Sequence, residues 1–354
     1  MRFTEFDFHP DLIEGIEASN YETATPVQEQ VIPHILAGKD IIASAQTGTG
    51  KTAAFLLPLI HRLLSHRIEG QVGALIIVPT RELAIQISQH LEGLSYFTQI
   101  SSIAVYGGND GGNFVAEKKA LQTGTDIVVC TPGRMIAHLN MGYVQFGQLQ
   151  FLVLDEADRM LDMGFQDDIN KIINAIPAKR QTLLFSATMP EKIRQLAQRI
   201  LQNPVHINIA ISKPPEKIVQ KAYVIYDTQK LQLLKYIILN TPYKRALIFC
   251  SSKLSVRNLA RDLQRAKFKI SEIHSDLEQT QREDVLNGFT SGRIPILVAT
   301  DILSRGIDID TIDLVINYDV PHDGEDYVHP IGRTGSAEAA GMAFTFLGQR
   351  EQNP

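Results

Sequence analysis

The chain has 354 residues, of which 44% are hydrophobic and 21% charged, with a formal net charge of −5 at pH 7. This length exceeds the usual size of one hydrophobic core, so we expect two domains. The chain has two cysteines, which exclude a disulfide-rich secreted protein. It also has no apolar run near the roughly 20 residues that a membrane helix needs, which excludes a membrane-spanning protein. We therefore expect a cytoplasmic location. Mild acidity neither indicates nor excludes nucleic-acid binding, which would need a locally basic surface.

Short apolar runs alternate with longer amphipathic segments along the whole chain. In the first half, five runs predict strands buried on both faces: 40–43, 74–78, 126–130, 151–154 and 182–185. Segments with helical spacing, such as 82–94 and 168–175, lie between them. The second half repeats the pattern, with predicted strands at 223–226, 246–250, 294–299, 314–316 and 343–347. Such alternation is typical of parallel α/β sheets.

The alternation breaks at 210–217, where Pro214 and Pro215 lie in a short polar stretch. This composition predicts an extended and fairly stiff linker. We therefore expect a first domain over residues 1–209 and a second over 218–354. The chain stops soon after its last predicted strand, so the second domain either is compact without a further covering helix or is truncated.

A glycine-rich loop follows the first predicted strand, because residues 45–52 read Ala-Gln-Thr-Gly-Thr-Gly-Lys-Thr. Glycines let backbone N–H groups approach phosphate oxygens, and a helix that begins here adds the positive end of its dipole. Lys51 would supply charge to the β- and γ-phosphates, and Thr52 a hydroxyl to Mg²⁺. We expect a nucleoside triphosphate to contact Gln46, Thr47, Gly48, Thr49, Gly50, Lys51 and Thr52. Ala45 replaces the glycine of the commoner pattern, a mild departure.

An acidic cluster, Asp155-Glu156-Ala157-Asp158, begins where the predicted strand 151–154 ends. A carboxylate at Asp155 suits the magnesium side of a triphosphate site. Glu156 could accept a hydrogen bond from the attacking water. A solvated acidic loop would look similar in isolation, but the glycine-rich loop upstream favours triphosphate hydrolysis.

With this cluster and an ordered series of further motifs, the chain resembles the DEAD-box RNA helicases over nearly all of its length. The further motifs lie at 25–28, 79–84, 107–108, 131–134, 186–188, 247–250, 279–282, 298–301 and 305–308. The resemblance implies an α/β fold of two tandem RecA-like parallel-sheet domains, the P-loop NTPase fold of helicase superfamily 2. It also implies an ATP-dependent RNA helicase that uses ATP and Mg²⁺, separates short RNA duplexes or remodels RNA–protein complexes, and acts as a monomer with no membrane attachment.

The resemblance also assigns roles to single residues. Catalysis falls to Lys51, Asp155, Glu156 and Arg333, and Mg²⁺ to Thr52 and Asp155. Further nucleotide contacts fall to Phe3, Tyr21, Gln28 and Asp308. Sequence-independent contacts to single-stranded or structured RNA fall to Pro79, Thr80, Arg81, Gly108, Thr131, Gly133, Arg134, Arg282, Thr300 and Gly306. Coupling of hydrolysis to strand separation falls to Asp158, Ser186, Thr188, Arg305 and His329.

Some of these roles compete with simpler interpretations of the same residues. Phe3 would stack on adenine, or it would anchor the N-terminal arm as a hydrophobic residue. The Gln28 amide can both donate to and accept from the adenine edge, although a plain surface glutamine is the alternative. Arg81 and Arg134 each follow a strand and precede a helix, where a guanidinium and backbone N–H groups can share one phosphate. For Arg81, an ion pair with Glu82 or a solvated side chain is the alternative.

The last motif departs from the family pattern His-Arg-Ile-Gly-Arg-Thr-Gly-Arg, because residues 329–336 read His-Pro-Ile-Gly-Arg-Thr-Gly-Ser. Arg333 remains as an arginine finger. Pro330 removes an arginine and a backbone N–H, and Ser336 replaces an arginine that contacts phosphate. Three hypotheses follow: an active helicase in which Arg333 suffices with help from Arg305, an ATP-binding RNA clamp with weakened turnover, and a DNA-directed relative. Gln28 together with the acidic cluster argues against the third.

Overall fold

The computed structural model describes residues 1–44, 49–107, 111–208, 219–274, 276–300, 312–319 and 341–348, without the side chains of 111–113 and 279. The chain divides into two compact units, Met1–Ile211 and Ser212–Pro354. The linker predicted at 210–217 lies outside the described residues, so its bounds stay a prediction.

The first unit is built on a seven-stranded sheet of order β3-β4-β2-β5-β6-β1-β7, in which all neighbouring strands pair in parallel. Its strands are β1 (Ile41–Ser44), β2 (Ala74–Ile77), β3 (Ser102–Val105), β4 (Ile127–Cys130), β5 (Phe151–Leu154), β6 (Gln181–Ser186) and β7 (Val205–Asn208). Its helices are α1 (Pro10–Ala18), α2 (Pro26–Leu36), α3 (Lys51–His66), α4 (Arg81–Leu94), α5 (Gly111–Thr123), α6 (Pro132–Asn140), α7 (Ala157–Asp162), α8 (Gln166–Asn174) and α9 (Glu191–Ile200).

Both faces of this sheet are covered by apolar layers. In β5, Phe151 and Val153 join one hydrophobic cluster, whereas Leu152 and Leu154 join the other. Side chains of a strand alternate between the two faces, so a strand buried on both faces is apolar at most positions. This requirement explains why the central strands are continuous apolar runs in the sequence.

The second unit contains a six-stranded parallel sheet of order β10-β11-β9-β12-β13-β8. Its strands are β8 (Val219–Val224), β9 (Ala246–Cys250), β10 (Ile270–Ile273), β11 (Ile296–Thr300), β12 (Leu314–Asn317) and β13 (Met342–Leu347). The helices described in this unit are α10 (Asp227–Asn240), α11 (Lys253–Arg265) and α12 (Gln279–Thr290). Two clusters again cover the sheet, with Ile248 on one face and Leu247 and Phe249 on the other.

The prediction of two α/β parts with parallel sheets is confirmed, and nine of the predicted strands correspond to β1, β2, β4, β5, β6, β9, β11, β12 and β13. The strand predicted at 223–226 is wrong in its bounds: β8 covers Val219–Val224, and Tyr226 already precedes α10. The apolar run there marks the end of an exposed edge strand. Three strands had no counterpart in the prediction, namely β3, β7 and β10.

Gly15 on α1 allows a close approach to α4. A Cβ at Gly15 would lie 2.2 Å from the carbonyl oxygen of Leu94, a backbone atom that cannot move away alone. Gly93 on α4 offers a matched contrast, because a Cβ there would meet only the Ser19 hydroxyl, at 3.8 Å.

We expect Gly15→Ala to lower the free energy of unfolding by about 1–3 kcal/mol, because it overpacks the contact between α1 and α4. Gly93→Ala should be neutral or stabilising by up to about 1 kcal/mol, because alanine is the better helix former. Urea titrations of both variants would measure the difference. Equal effects of the two substitutions would contradict the close approach.

Candidate nucleotide-binding and RNA-binding residues

Parallel pairing brings the segments that follow several strands of the first unit to one edge of its sheet. The glycine-rich loop follows β1, Pro79–Arg81 follow β2, Thr131–Arg134 follow β4, and the acidic cluster follows β5. Helices α3, α4, α6 and α7 begin in these same segments. This edge therefore combines helix N-termini, whose unpaired N–H groups bind anions, with carboxylates and cations.

The described end of the glycine-rich loop leads directly into α3. Gly50 precedes this helix with φ +90°, in the left-handed region that favours glycine. A Cβ at Gly50 would also lie 2.6 Å from Nε2 of Gln28. Lys51 opens the helix and is buried, and Thr52 beside it is half-buried. Both residues therefore stand at the N-terminus of α3, as the phosphate-loop prediction requires.

Gln28 and Thr25 brace this loop from the start of α2. The Gln28 side chain, 2% exposed, accepts a hydrogen bond from the Thr25 N–H at 2.8 Å and donates one to the Gly50 carbonyl at 3.1 Å. The Thr25 hydroxyl donates to the carbonyl of Thr49 at 2.8 Å. Gln28 is thus no plain surface glutamine. Its contact with adenine stays a prediction, and the bracing of the loop is a role that the sequence did not indicate.

Phe3 lies in the apolar core of the first unit, 2% exposed. Its ring centroid is 6.0 Å from that of Phe6 and 5.8 Å from that of Tyr21, which meets it edge-on. Tyr21 is half-buried and packs against the same core. These contacts are those of a hydrophobic anchor, and stacking of Phe3 on a base stays a prediction.

Asp155 is a buried carboxylate at the end of β5. It accepts a hydrogen bond from the Glu156 N–H at 3.0 Å. Burial raises the pKa of Asp155 from 3.8 to about 6, and the charges of Glu156 and Asp158 add to the rise, while Lys51 opposes it. A buried anion that lacks full compensation fits a position where a divalent cation supplies the missing charge.

Mg²⁺ commonly binds through one or two carboxylates together with substrate phosphates rather than in an all-protein cage. Among the described residues, no group of three or more His, Cys, Asp or Glu side chains could form such a cage. The Asp155 carboxylate and the Thr52 hydroxyl are the oxygen donors that suit Mg²⁺ here, so the donor set fits the predicted ion.

Glu156 is held by a buried ion pair with Arg159. The glutamate has φ +52° and ψ +49°, a left-handed conformation that a non-glycine residue rarely adopts. Its Oε2 lies 3.1 Å from Nη1 of Arg159, one turn along α7, and both side chains are buried. Arg159 was absent from the sequence prediction, although its spacing of three residues after Glu156 on a helix could have indicated the pair.

Asp158, Ser186 and Thr188 were predicted as coupling residues, and the structure brings them into contact. The Asp158 N–H donates to the Ser186 hydroxyl at 3.2 Å, and the Thr188 N–H donates to the Asp158 carboxylate at 2.8 Å. The end of β5 is therefore joined to the end of β6. A shift of the acidic cluster would therefore move the segment that follows β6 through these two hydrogen bonds.

Two arginines predicted to contact RNA stack on aromatic rings. Thr80 caps α4 by accepting from the Leu83 N–H at 3.3 Å, and Arg81 places its guanidinium carbon 4.7 Å from the centroid of the Tyr106 ring. Arg134 on α6 lies 4.6 Å from the centroid of the Phe114 ring. Arg81 and Arg134 thus each have an aromatic partner in the structure.

The remaining RNA residues of the first unit lie at strand ends and helix starts. Pro79 follows β2 and is buried, whereas Thr131 is half-buried and precedes α6. A Cβ at Gly133 would meet none of the described atoms within 4 Å, so a phosphate could approach its backbone. In the second unit, Thr300 ends β11, and Arg282 on α12 donates from Nε to the Leu277 carbonyl at 3.1 Å.

Family models match both halves of the chain. The DEAD/DEAH box helicase model matches residues 25–196, and the helicase conserved C-terminal domain model matches residues 229–338. The DEAD-box ATP-dependent RNA helicase CshA of Bacillus subtilis is 40% identical over 352 residues, which cover 99% of this chain and 70% of that protein. The chain belongs to the DEAD-box helicase family.

Other relatives and solved structures agree with this assignment. The ATP-dependent RNA helicase CshA of Listeria monocytogenes is 44% identical over 351 residues, and DEAD-box ATP-dependent RNA helicase 14 of Arabidopsis thaliana is 42% identical over 357 residues. The alignments cover 99% of this chain in both cases, but the chain spans only 66% and 57% of those two proteins.

Among solved structures, S. cerevisiae Dbp5 bound to RNA and ADP BeF3 is 29% identical with a TM-score of 0.85, covering 99% of this chain and 90% of that one. A DEAD box protein from Methanococcus jannaschii is 37% identical with a TM-score of 0.57, covering 99% and 94%. The RecA-like fold predicted for the two parts is thereby confirmed.

Several positions that the DEAD-box resemblance assigns lie outside the described residues. They are Gln46, Thr47, Gly48, Gly108, Arg305, Gly306, Asp308, His329 and Arg333, together with the altered positions Pro330 and Ser336. Their roles stay predictions. Within the described ranges, the helices are all too short or too polar to cross a bilayer.

We expect Asp155→Asn to stabilise the nucleotide-free protein by about 3 kcal/mol at pH 8. The pKa of Asp155 is raised by about two units on folding, and each unit corresponds to roughly 1.4 kcal/mol. An acid whose pKa is raised on folding costs stability above that folded-state pKa, and the cost fades as the pH falls towards 3.8. The gain should therefore shrink to about half at pH 5. Urea unfolding of both proteins at the two pH values would measure it.

Asp126→Asn is the matched control for a buried aspartate that is well compensated. Asp126 accepts from Nε of Arg67 at 2.7 Å and from the Ser101 N–H at 2.8 Å. Its substitution should destabilise the protein, because it weakens a charged hydrogen bond in a buried site. Destabilisation by both substitutions would contradict an electrostatic cost of burying the Asp155 carboxylate.

Proposed function

We propose that this chain is an ATP-dependent RNA helicase that hydrolyses ATP with Mg²⁺ and separates short RNA duplexes or remodels RNA–protein complexes. The observation that carries the proposal is the buried pair of carboxylates, Asp155 and Glu156, on the same sheet edge as Lys51. The proposal is supported by the similar proteins whose names describe ATP-dependent RNA helicases, and by a similar structure with bound RNA and ADP BeF3.

Hydrolysis needs charge neutralisation and an oriented water. Lys51 provides a fixed cation at the N-terminus of α3, where backbone N–H groups also face an incoming phosphate. Thr52 and Asp155 would hold Mg²⁺, which would neutralise charge on the phosphate oxygens. Glu156 would accept a hydrogen bond from the attacking water, and its ion pair with Arg159 keeps its carboxylate in one orientation.

RNA would bind through its backbone and without sequence preference. The N-termini of α4 and α6 present N–H groups beside Arg81 and Arg134, and such contacts go to phosphates rather than to base edges. The hydrogen bonds from Asp158 to Ser186 and from Thr188 to Asp158 connect the acidic cluster with the end of β6. They support a coupling of nucleotide state to RNA binding within the first unit.

Glu156→Gln should lower the turnover number of RNA-stimulated ATP hydrolysis by about 10²–10⁴ and leave the affinity for ATP nearly unchanged. Glutamine keeps the size of the side chain but is a weaker acceptor for the proton of water. Steady-state hydrolysis and equilibrium binding of an ATP analogue would measure the two effects.

Glu191→Gln is its matched control, because Glu191 pairs with Arg194 at the same spacing on the exposed surface of α9, with Nε and Oε2 3.2 Å apart. This control should leave hydrolysis unchanged. If Glu156→Gln hydrolysed ATP at the unsubstituted rate, the assignment of Glu156 would be wrong.

A second candidate, an ATP-binding RNA clamp with weakened turnover, is favoured by Pro330 and Ser336 in the last motif. A finger arginine contributes about 10³–10⁵ in turnover in GTPase systems, and Arg333 remains here. We expect the double variant Pro330→Arg/Ser336→Arg to hydrolyse ATP faster with RNA than the natural chain.

RNA-stimulated and single-turnover ATPase assays of both proteins would measure the change. Equal rates would reject the clamp. Stimulation by single-stranded DNA but not by RNA would instead favour a DNA-directed enzyme.

A further inference from the structure

Glu117 is a buried carboxylate that belongs to none of the motifs above. It lies on α5, between the motifs at 107–108 and 131–134, and is 3% exposed. Its Oε2 accepts a hydrogen bond from Nε of Arg134 at 2.7 Å and lies 2.7 Å from Nε2 of His138, with which it is hydrogen-bonded. Tyr143 bonds to the other ring nitrogen of His138. One carboxylate therefore joins α5 to two side chains of α6.

Phe114, one turn before Glu117 on α5, completes this arrangement. Its ring stacks on the buried His138 ring, with centroids 4.4 Å apart and an angle of 9° between the planes. The guanidinium carbon of Arg134 lies over the Phe114 ring, 4.6 Å from its centroid. Arg134 is therefore held at its Nε by a carboxylate and on its face by an aromatic ring.

The way in which Arg134 is held leaves its recognition end available. A guanidinium has five N–H donors in one rigid plane, and the bond to Glu117 uses only the donor on Nε. The other four are on the two terminal nitrogens, and none of the described residues accepts a hydrogen bond from them. Two parallel donors on such a planar fork match the geometry of a phosphate.

Arg81, the second arginine assigned to RNA, is also held by an aromatic ring. Its guanidinium stacks on Tyr106, which directly precedes the motif at 107–108, whereas Phe114 follows that motif. Tyr106 after β3 and Phe114 on α5 thus each supply one aromatic ring to one of the two arginines assigned to RNA. Holding both side chains before RNA arrives reduces the conformational entropy that binding would otherwise remove.

We propose that Glu117 is a positioning residue for RNA binding: with Phe114 it orients Arg134 so that the terminal nitrogens meet a phosphate of the strand. The inference rests on the proposed RNA-binding function of this surface. Simple charge arguments give the opposite sign, because an anion 2.7 Å from a phosphate-binding cation lowers the local positive potential. Removal of Glu117 strengthens RNA binding if charge dominates and weakens it if positioning dominates.

The test compares Glu117→Met, Arg134→Met and the double variant. The dissociation constant of a single-stranded oligoribonucleotide is measured by fluorescence anisotropy with a non-hydrolysable ATP analogue, between 50 and 200 mM salt. Arg134→Met should weaken binding about tenfold and reduce the salt slope by about one, because one phosphate contact is lost. Glu117→Met should do the same, and the double variant should bind no more weakly than Arg134→Met alone.

Glu117→Gln is the conservative variant. Its amide oxygen can still accept from Nε of Arg134, so it should keep most of the affinity although it removes the same charge as methionine does. Glu92→Met on α4 is the control for loss of an exposed carboxylate and should not weaken RNA binding. Circular dichroism and ATP-analogue affinity should be unchanged in every variant compared. If Glu117→Met fails to fold, Phe114→Leu removes the stacked face alone and should reduce the salt slope in the same way.

Tighter or unchanged RNA binding by Glu117→Met, or additive effects in the double variant, would overturn the proposal. If Arg134→Met also had no effect while Arg81→Met weakened binding, Glu117 would be structural and the RNA-binding function would stand. If the natural chain bound no RNA at any salt concentration, the proposed function itself would fail.

Discussion

The strands of both sheets pair in parallel, and their interior members are covered by apolar side chains on both faces. In such a sheet every strand ends at the same edge, and the helix that returns the chain begins there. The polar chemistry of the first unit depends on this single constraint, because segments more than a hundred residues apart in the sequence reach one edge. Neither the glycine-rich loop nor the acidic cluster would be a site without the strands that align them.

The buried charges at this edge are compensated to different degrees. Glu117 has Arg134 and His138, and Glu156 has Arg159. Asp155 accepts a hydrogen bond from the Glu156 N–H, and burial raises its pKa although the charge of Lys51 opposes the rise. Glu117 and Glu156 are thus paired with side chains of the protein, whereas the carboxylate predicted to bind Mg²⁺ carries a raised pKa. Perturbed carboxylates of this kind are a physical mark of functional sites.

The sequence predicted the interior strands better than the edge strands, and burial explains the difference. Every predicted strand whose position is correct lies inside a sheet, where both faces are covered and most residues are apolar. The three strands that were missed, β3, β7 and β10, and the one misplaced, β8, are the four edge strands. Their half-exposed residues include polar side chains, such as Ser102, His206 and Glu272, so no continuous apolar run marks them.

The same distinction holds within the site. Residues predicted to contact substrate form short motifs, and the resemblance assigned them directly. Among the side chains that support them, Arg159 directly follows the acidic cluster, whereas Glu117 and Phe114 reach Arg134 only through the contact of α5 with α6. Their partners depend on tertiary structure, which local spacing does not encode, except for the one-turn spacing of Glu156 and Arg159.

The brace between Gln28 and Gly50 has a consequence for nucleotide selectivity. One amide group touches the backbone that would enclose the phosphates and is also the group assigned to adenine. A triphosphate with a different base would then bind more weakly for two reasons. Its base would not match the amide of Gln28, and the displaced amide would distort the loop around the phosphates. Under the predicted adenine contact, a substitution of Gln28 would therefore change base preference and phosphate affinity together.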